Sequence, residues 1–307
     1  MCSVSILQRL GSLLVDDDKK RRPQTLPSTP RSASLRASSE LDPVALHDIP
    51  EGAGSIDNAS ANAASAPRPP DAVGTFLRIV TINDVYKLEN YPSFKTAVNE
   101  AREHAKHIDC VVTSHLNGDF LAPCILSALD GGRAMATALD LAGVQYACIG
   151  NHELDLGFAA LGARVNELHS ATVINSNVPH ESLDSLQKFA TFQIGSRWCV
   201  LGGFLTEDPS IYAPSLHPPI DPVNESITAT WEAGTTSLRQ GGELKADEYP
   251  SLFLPMTHQL MKDDQETARI ISSHPTLAPR TPIILAGHDH EPFEEAVEGS
   301  LIVKVGT

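Results

Sequence analysis

Beyond residue 75 the chain alternates short apolar runs with amphipathic segments, and this alternation restricts the possible folds more than any other feature. Phe76–Ile82 has the composition of a strand, Ser93–His107 has apolar residues on one helical face, and Cys110–Thr113 is again strand-like. Strands separated by single helices are typical of parallel sheets, whose strands need crossover connections. The pattern therefore predicts an α/β domain.

The same alternation continues to the end of the chain. Further predicted elements are a helix over about 125–142, strand Val144–Ile149, a helix over about 158–168, strands Thr172–Ile174 and Leu252–Leu254, helix Asp264–Ser272, and strands Ile283–Leu285 and Leu301–Val305. Gly195-Ser196 between two strand-like runs predicts a β-hairpin. The proline-rich residues 207–224 predict an irregular excursion over the surface.

Residues 1–73 have a different composition, rich in Ser, Ala, Pro and Asp and without an apolar period. A segment that cannot bury apolar surface does not offset the entropy of ordering it. We therefore predict a disordered, low-complexity arm over 1–73 and one folded domain over 74–307.

Charge and cysteine content exclude several classes of protein. The formal net charge is -15, and nearly all of the excess lies in the predicted domain, so binding to a nucleic acid polymer is disfavoured. No apolar run approaches the ~18 residues of a membrane span. The five cysteines have no metal-type spacing, and the first residues make a poor secretory signal. These features predict reduced thiols and a cytoplasmic location.

Potential metal ligands follow five of the predicted strands. They are Asp84, Asp119, Asn151 with His152, His258, and His288 with His290. Ligands of open α/β sheets gather at the carboxyl ends of the strands. Carboxylate, carboxamide and imidazole groups suit divalent metals that accept mixed nitrogen and oxygen ligation. The sequence therefore predicts a metal site at this edge.

The ordered motifs resemble the calcineurin-like metallophosphoesterase superfamily and, more narrowly, the catalytic domain of 5′-nucleotidases. The matching segments are Thr81–Asp84, Gly118-Asp119, Gly150–Asp155, Thr257–Gln259, Gly287–His290 and Ile302–Gly306. The resemblance covers about residues 76–307. It implies a four-layer α/β/β/α sandwich and a hydrolase of ester bonds that acts in nucleotide catabolism.

The resemblance also implies two divalent metal ions, which the sequence leaves open among Mn, Zn, Fe and Mg. Asp119 would bridge them, Asp84 and His290 would bind one, and the other would take Asn151, His258 and His288. A hydroxide generated by the two ions would attack the phosphorus of a phosphomonoester.

In the same pattern His152 is catalytic rather than a ligand. It would stabilise charge on the transferring phosphoryl group or protonate the leaving oxygen. Asp155, three residues on, would hold the His152 ring and favour its protonated form. Glu153 is interpreted as a structural anion of the turn.

One position departs from the family pattern. Family members carry Asp-x-His at the first motif, whereas this chain has Asp84-Val85-Tyr86. Three interpretations compete: Tyr86 hydrogen-bonds while water completes the metal shell, Tyr86 coordinates as a phenolate, or the first site is weak or empty. We favour the first. His115 is a further candidate for the missing ligand, but its strand-end position favours a side chain directed elsewhere.

Two rival functions remain. A non-catalytic binding or scaffold module is consistent with Tyr86, and a protein Ser/Thr phosphatase shares several motifs. The latter family carries an Asp-Arg-Gly segment after its aspartate, whereas Phe120–Pro123 follows Asp119 here. The expected substrate is a small phosphorylated compound, with a nucleotide favoured. We also expect that the C-terminal domain that clamps the base in 5′-nucleotidases is absent from this chain, and that the sandwich is truncated at its C-terminus.

Overall fold

The computed structural model describes residues 5–7, 75–213 and 216–306. Its first sheet contains five strands, in the order β1 Ser5–Leu7, β2 Phe76–Ile82, β3 Cys110–Asn117, β4 Tyr146–Cys148 and β5 Thr172–Ile174. Strands β2 to β5 are parallel, and β1 pairs antiparallel with β2. Apart from β1, the arm predicted over 1–73 lies outside the described residues.

A second sheet contains six strands. They are β6 Ala190–Ile194, β7 Arg197–Leu205, β8 Leu252–His258, β9 Ile283–Gly287, β10 Phe293–Val297 and β11 Ser300–Lys304, in the order β10-β11-β9-β8-β7-β6. The four central strands are parallel, and the edge strands β6 and β10 pair antiparallel with their neighbours. The hairpin predicted at Gly195-Ser196 is confirmed as the connection between β6 and β7.

Six α-helices lie between these strands in the described residues. They are α1 Asn90–Ala105, α2 Ile125–Asp130, α3 Arg133–Ala142, α4 Phe158–Asn166, α5 Val223–Gln240 and α6 Met261–Ser273. Helices α1, α3 and α4 share an apolar cluster with one face of the first sheet. Helices α5 and α6 pack in the same way against the second sheet. None of the described helices has the length and apolarity needed to cross a membrane.

The two sheets pack face to face over a core of their own. Ile79 of the first sheet and Leu201 and Leu285 of the second belong to this cluster, and all three are fully buried. Val80, the neighbour of Ile79 on β2, points into the helix-covered core instead, because successive strand side chains alternate between faces. Apolar side chains on both faces of the strands thus produce the four-layer α/β/β/α arrangement that we predicted.

Several local differences from the prediction have physical causes. The helix expected over 125–142 is divided at Gly131-Gly132, where both residues take a positive φ that ends one helix before the next begins. Strand β3 runs beyond Thr113 to Asn117, because its polar final residues are buried between neighbouring strands.

Helix α5 and strand β10 were not predicted. Helix α5 is rich in Ser and Thr and contains Gly234, and all three residue types have low helix propensity. Its stability comes from a buried face that includes Ile227, Trp231 and Leu238, spaced at helical intervals. Strand β10 carries the charged pair Glu294-Glu295 at the sheet edge, which hides the apolar alternation of a strand.

Candidate metal centre

The carboxyl ends of β2, β3 and β9 bring three of the predicted ligands together. One ligand atom from each of Asp84, Asp119 and His290 lies within 4.8 Å of the others. The Asp84 Oδ1 atom is 3.3 Å from His290 Nε2. Asp84 and Asp119 are buried and His290 is exposed, so this group opens to solvent on one side.

The other three predicted ligands form an adjoining group. The Asn151 Oδ1 atom lies 3.1 Å from His258 Nε2 and 2.9 Å from His288 Nδ1. The Asp119 Oδ2 atom is 3.2 Å from His258 Nε2, and it therefore touches both groups. The structure thus brings all six predicted ligands together, with Asp119 in contact with both groups.

The backbone at these positions is unusual. Asp84, Asp119, His288 and His290 have φ values of 54°, 57°, 89° and 63°, and Glu298 in a hairpin is the one other described non-glycine residue with positive φ. Such conformations cost free energy for residues with a side chain and concentrate at functional sites. Backbone hydrogen bonds from Asp84 to Gly118 and from Val85 to Asp119 hold the first two turns together.

Two glycines allow the strand ends to approach. A Cβ atom on Gly118 would lie 2.2 Å from His258 Nδ1, and one on Gly150 would lie 2.1 Å from Asp119 Oδ1. Any side chain at either position would displace a candidate ligand.

Glu153 has the structural position in the turn that we predicted, and burial followed by the charge of Asp119 raises its pKa to about 7. Its fully buried carboxylate accepts hydrogen bonds from the backbone N–H groups of Asp119, Phe120, Leu121 and Gly150 at 2.7–2.9 Å. The loop after β3 and the turn after β4 are therefore fixed to each other by one side chain.

A buried lysine fixes the other side of the centre, and sequence reasoning gave it no role. Lys304 is 2% exposed. Its Nζ donates to Gln259 O at 2.6 Å and to Gly287 O at 2.8 Å, the residues that follow His258 and precede His288. The same ammonium group pairs with the carboxylates of Asp264 (2.8 Å) and Asp289. The available sequence signal was a lysine inside an apolar strand.

The electrostatic field differs between the two histidines of the second group. Burial opposes protonation of His258, but the carboxylates of Asp119 and Asp84 outweigh burial and raise its pKa to about 10. Burial and the neighbouring His258 lower the pKa of His288 to about 4. A hydrogen bond with Asp84 raises the pKa of His290. Burial acts against ionisation of Asp84, yet His258 and the hydrogen bonds from its neighbours lower the pKa of that carboxyl.

These side chains fit divalent cations. Neighbouring ligands at ~2.1 Å from an octahedral ion lie ~3.0 Å apart. Four contacts among the six candidate ligands fall at 2.9–3.3 Å, and His258 Nε2 lies 3.9 Å from Asp84 Oδ1. Two buried carboxylates beside a neutral His288 also supply the negative charge and the lone pairs that a cation requires.

Tyr86 reaches into the first group. Its hydroxyl oxygen lies 3.1 Å from Asp84 Oδ1, 2.9 Å from Asp119 Oδ2 and 2.8 Å from His290 Nε2. Burial, followed by the charges of Asp119 and Asp84, raises the pKa of Tyr86, so the phenol keeps its proton unless a positive charge is added.

His152 and Asp155 lie at the rim. The His152 Nδ1 atom is 2.7 Å from Asp155 Oδ2, and the His152 backbone N–H donates to Asp119 Oδ1 at 2.9 Å. Within the described part of the chain no protein group is bonded to His152 Nε2. The ring therefore offers one nitrogen to the solvent side while Asp155 holds the other.

His115 lies outside the centre, as the sequence interpretation favoured. It is fully buried between the sheets, with Nε2 2.9 Å from Thr113 Oγ1 and Nδ1 3.5 Å from Met256 Sδ. Burial lowers its pKa to about 3. The imidazole is therefore a neutral core group.

No family model and no curated protein matches the chain. Solved structures do match. A sulfate thiohydrolase from Thermus thermophilus is 14% identical, with a TM-score of 0.56 over 69% of this chain and 37% of that one. A 5′-nucleotidase precursor from the same species is 18% identical, with a TM-score of 0.53 over 73% and 44%. A calcineurin-like phosphoesterase from Bacillus subtilis is 14% identical, with a TM-score of 0.53 over 76% and 81%.

The chain spans less than half of the length of the first two of these proteins. At such low identity, the likeness concerns the architecture rather than the reaction. The chain has the fold of a calcineurin-like phosphoesterase, and the same fold covers part of a 5′-nucleotidase precursor.

Proposed function

We propose that the protein is a metal-dependent phosphoester hydrolase of the 5′-nucleotidase type. The observation that carries the proposal is the convergence of six ligand groups from five strand ends around Asp119. The fold supports it, because solved structures with the same architecture include a 5′-nucleotidase and a calcineurin-like phosphoesterase.

Asp84, Asp119 and His290 would hold one divalent ion, and Asp119 would share the second with Asn151, His258 and His288. When bound, such a pair clamps a phosphate and lowers the pKa of water so that hydroxide exists near neutral pH. The identity of the ions, among Mn, Zn, Fe and Mg, is part of the proposal to be tested. Glu153 and Lys304 keep the loops in place from opposite sides.

His152 is the proposed catalytic residue of the chain. Its free Nε2 would donate a hydrogen bond to the transferring phosphoryl group or a proton to the leaving oxygen. Asp155 accepts from Nδ1 and so fixes the orientation of the ring.

The proposed substrate is a small phosphomonoester, with a nucleotide favoured. The acidic chain repels long polyanions, whereas bound cations would reverse the local field for a single phosphate. Recognition of a base would require side chains that contact the nucleoside part of the substrate.

A phosphatase screen of the purified full chain tests the proposal. Each of Mn, Zn, Fe and Mg is supplied separately with nucleoside monophosphates and a generic aryl phosphate. We expect hydrolysis that a chelator abolishes and that His152→Ala lowers by ~10²–10⁴-fold, the usual contribution of an acid catalyst.

An exposed histidine away from the centre provides the matched control. His169 lies beyond α4, and His169→Ala should leave turnover at the wild-type level. Equal turnover in His152→Ala and wild type would remove His152 from the mechanism. Absence of hydrolysis with all four metals would favour the scaffold function instead.

A further inference from the structure

Tyr249 is the one exposed tyrosine among the five in the chain, all of which lie in its described part. It has 40% of its surface accessible, whereas the other four are buried or half-buried. Tyr249 lies shortly before β8, and Arg280 lies shortly before β9. Because these strands are parallel, both residues lie at the edge of the second sheet opposite the metal centre. An enzyme that modifies tyrosine in the folded chain would therefore act on Tyr249.

Two guanidinium groups lie over the ring of Tyr249. The Cζ atom of Arg239, in the last turn of α5, is 4.7 Å from the ring centroid, and that of Arg280 is 5.3 Å from it. The ring of Trp231 is stacked with the same ring, with centroids 6.3 Å apart and an interplanar angle of 8°. These contacts hold the ring beside both arginines although it is exposed to solvent.

The same arginines hold the backbone on both sides of Tyr249. Arg239 Nε and Nη2 donate to Glu248 O at 3.0 and 2.6 Å. Arg280 Nε donates to Pro250 O at 3.0 Å, and its Nη1 donates to another carbonyl at 3.0 Å. Arg239 Nη1 and Arg280 Nη2 have no hydrogen-bond partner among the described residues. Each guanidinium group therefore keeps donors for one further acceptor.

No carboxylate neutralises these two arginines, although the chain has a net charge of -15. Within the described part of the chain, neither Arg239 nor Arg280 belongs to an ion pair. The carboxylate of the adjacent Glu248 pairs instead with Lys245 at 3.0 Å. Two guanidinium groups without a counter-ion favour an anion at this position, and phosphate oxygens match their planar geometry.

We propose that Tyr249 is a phosphorylation site and that Arg239 and Arg280 bind the phosphate that it acquires. In the transfer, the Tyr249 oxygen attacks the terminal phosphorus of a nucleoside triphosphate held by a protein kinase. The bond from that phosphorus to the bridging oxygen breaks, the nucleoside diphosphate leaves, and the phenol proton passes to a base of the kinase. The product adds a charge of about -1.5 to -2 and three acceptor oxygens for the unused donors of the two arginines.

The segment around Tyr249 fits the substrate segment of such a kinase. Residues 241–249 have no helix or strand and are exposed except for Leu244. Asp247 and Glu248 directly precede Tyr249, so the partner would be a tyrosine kinase with a basic substrate groove. The bound phosphate would connect this loop to α5 and to the residues before β9, and would thereby order it.

Phosphorylation of the purified full chain tests the site. A tyrosine kinase is first selected for activity on a synthetic peptide of residues 241–251, and it is then applied to the folded chain with ATP. Mass spectrometry should locate one phosphate per chain in the wild type and none in Tyr249→Phe. Tyr212→Phe loses a buried hydroxyl and is the matched control, which should accept one phosphate. Absence of phosphate from the folded wild type would overturn the site.

Removal of that phosphate by a broad-specificity tyrosine phosphatase tests the arginines. The folded wild type should lose phosphate more slowly than the phosphorylated peptide. Arg239→Gln and Arg280→Gln should each accelerate the loss by about two- to fivefold, the range for exposed charge pairs. Protection by charge should weaken as the salt concentration rises, whereas protection by steric hindrance would not. Arg269→Gln, on α6, should retain the wild-type rate. Equal rates in the wild type and both arginine variants would overturn phosphate binding by the pair.

These results are separable from those on the proposed function. The same measurements on a His152→Ala chain, with chelator added after the kinase reaction, prevent loss of phosphate through the metal centre. A protein that is phosphorylated at Tyr249 but hydrolyses no phosphoester would keep this site and refute the hydrolase. A hydrolase that accepts no phosphate at Tyr249 would refute only the modification site.

Discussion

The pKa values of two buried histidines differ strongly between the interior of the sandwich and the carboxyl ends of the strands. His115 and His258 are both completely buried. Burial alone lowers the pKa of His115 to about 3. At His258 burial acts in the same direction, but the carboxylates of Asp119 and Asp84 raise the pKa to about 10.

Burial removes water from both imidazoles, and the charge of the neighbouring groups then decides whether the pKa is lowered or raised. His115 and Asp119 are four residues apart on one strand and its following loop. Around His115 the neighbours are Thr113, Met256 and the Tyr146 ring, none of them ionised. Beyond the strand end the chain concentrates carboxylates and imidazoles at a site that is partly open to solvent. A scaffold with a neutral interior thus presents a strongly charged edge.

The largest expected effect comes from removing the Asp119 carboxylate, whose negative charge distinguishes the strand edge from the neutral interior. Asp119→Asn preserves shape, and Asn tolerates the left-handed backbone found at this position. It removes the negative charge that both ligand groups share. We expect kcat/KM to fall by at least ~10³-fold, which is the upper end of the loss caused by removing one transition-state contact. Metal content by elemental analysis should fall with it, while the melting temperature under chelating conditions is retained.

A conservative change elsewhere provides the control for that result. Asp130 caps the start of α3 through its side chain, away from the ligands, so Asp130→Asn should bind metal as the wild type does. Equal metal content in Asp119→Asn and wild type would contradict the bridging role.

A smaller effect is expected from the lysine that supports the charged edge. Lys304→Met keeps the length of the side chain but leaves the buried Asp264 carboxylate without its cation. Breaking a buried ion pair in this way costs about 3–5 kcal/mol. Urea denaturation should show that loss in the free energy of unfolding. The exposed Lys262 on α6 is the matched control, and Lys262→Met should change stability by less than ~0.5 kcal/mol. Similar stabilities for the two variants would contradict the role of Lys304.

The sequence predicted the charged edge better than the elements that support it. Asp84, Asp119, Asn151 and the ligand histidines follow apolar strands directly, so their convergence could be inferred from the rule for parallel sheets. The role of Lys304 depends on which loops lie above it in space, and no local pattern contains that information.

The parts of the fold that were missed depend on tertiary packing in the same way. Helix α5 has weak intrinsic propensity and is stabilised by Trp231 and its neighbours against the second sheet. The position of the Tyr86 hydroxyl is likewise a product of three converging loops. The sequence could identify Tyr86 as a departure but could not choose among its possible roles.

The smallest expected effect concerns the neutral interior and is a pH dependence of stability. The unfolded pKa of histidine is about 6.5, whereas in the folded protein His115 has a pKa of about 3. Between these values the unfolded chain binds a proton that the folded chain does not, so stability is full above the unfolded pKa and falls as the pH decreases towards 3. From pH 7 to pH 5 this group should remove about 2 kcal/mol.

His115→Gln keeps a polar side chain near Thr113 but does not titrate, so its stability should decrease less over that range. Urea denaturation at pH 7, 6 and 5 with chelator present measures the difference without a contribution from bound metal. His217→Gln, at an exposed position, should reproduce the wild-type curve. Parallel curves for wild type and His115→Gln would mean that folding does not lower the pKa of His115, and the proposed contrast between a neutral interior and a charged edge would fail.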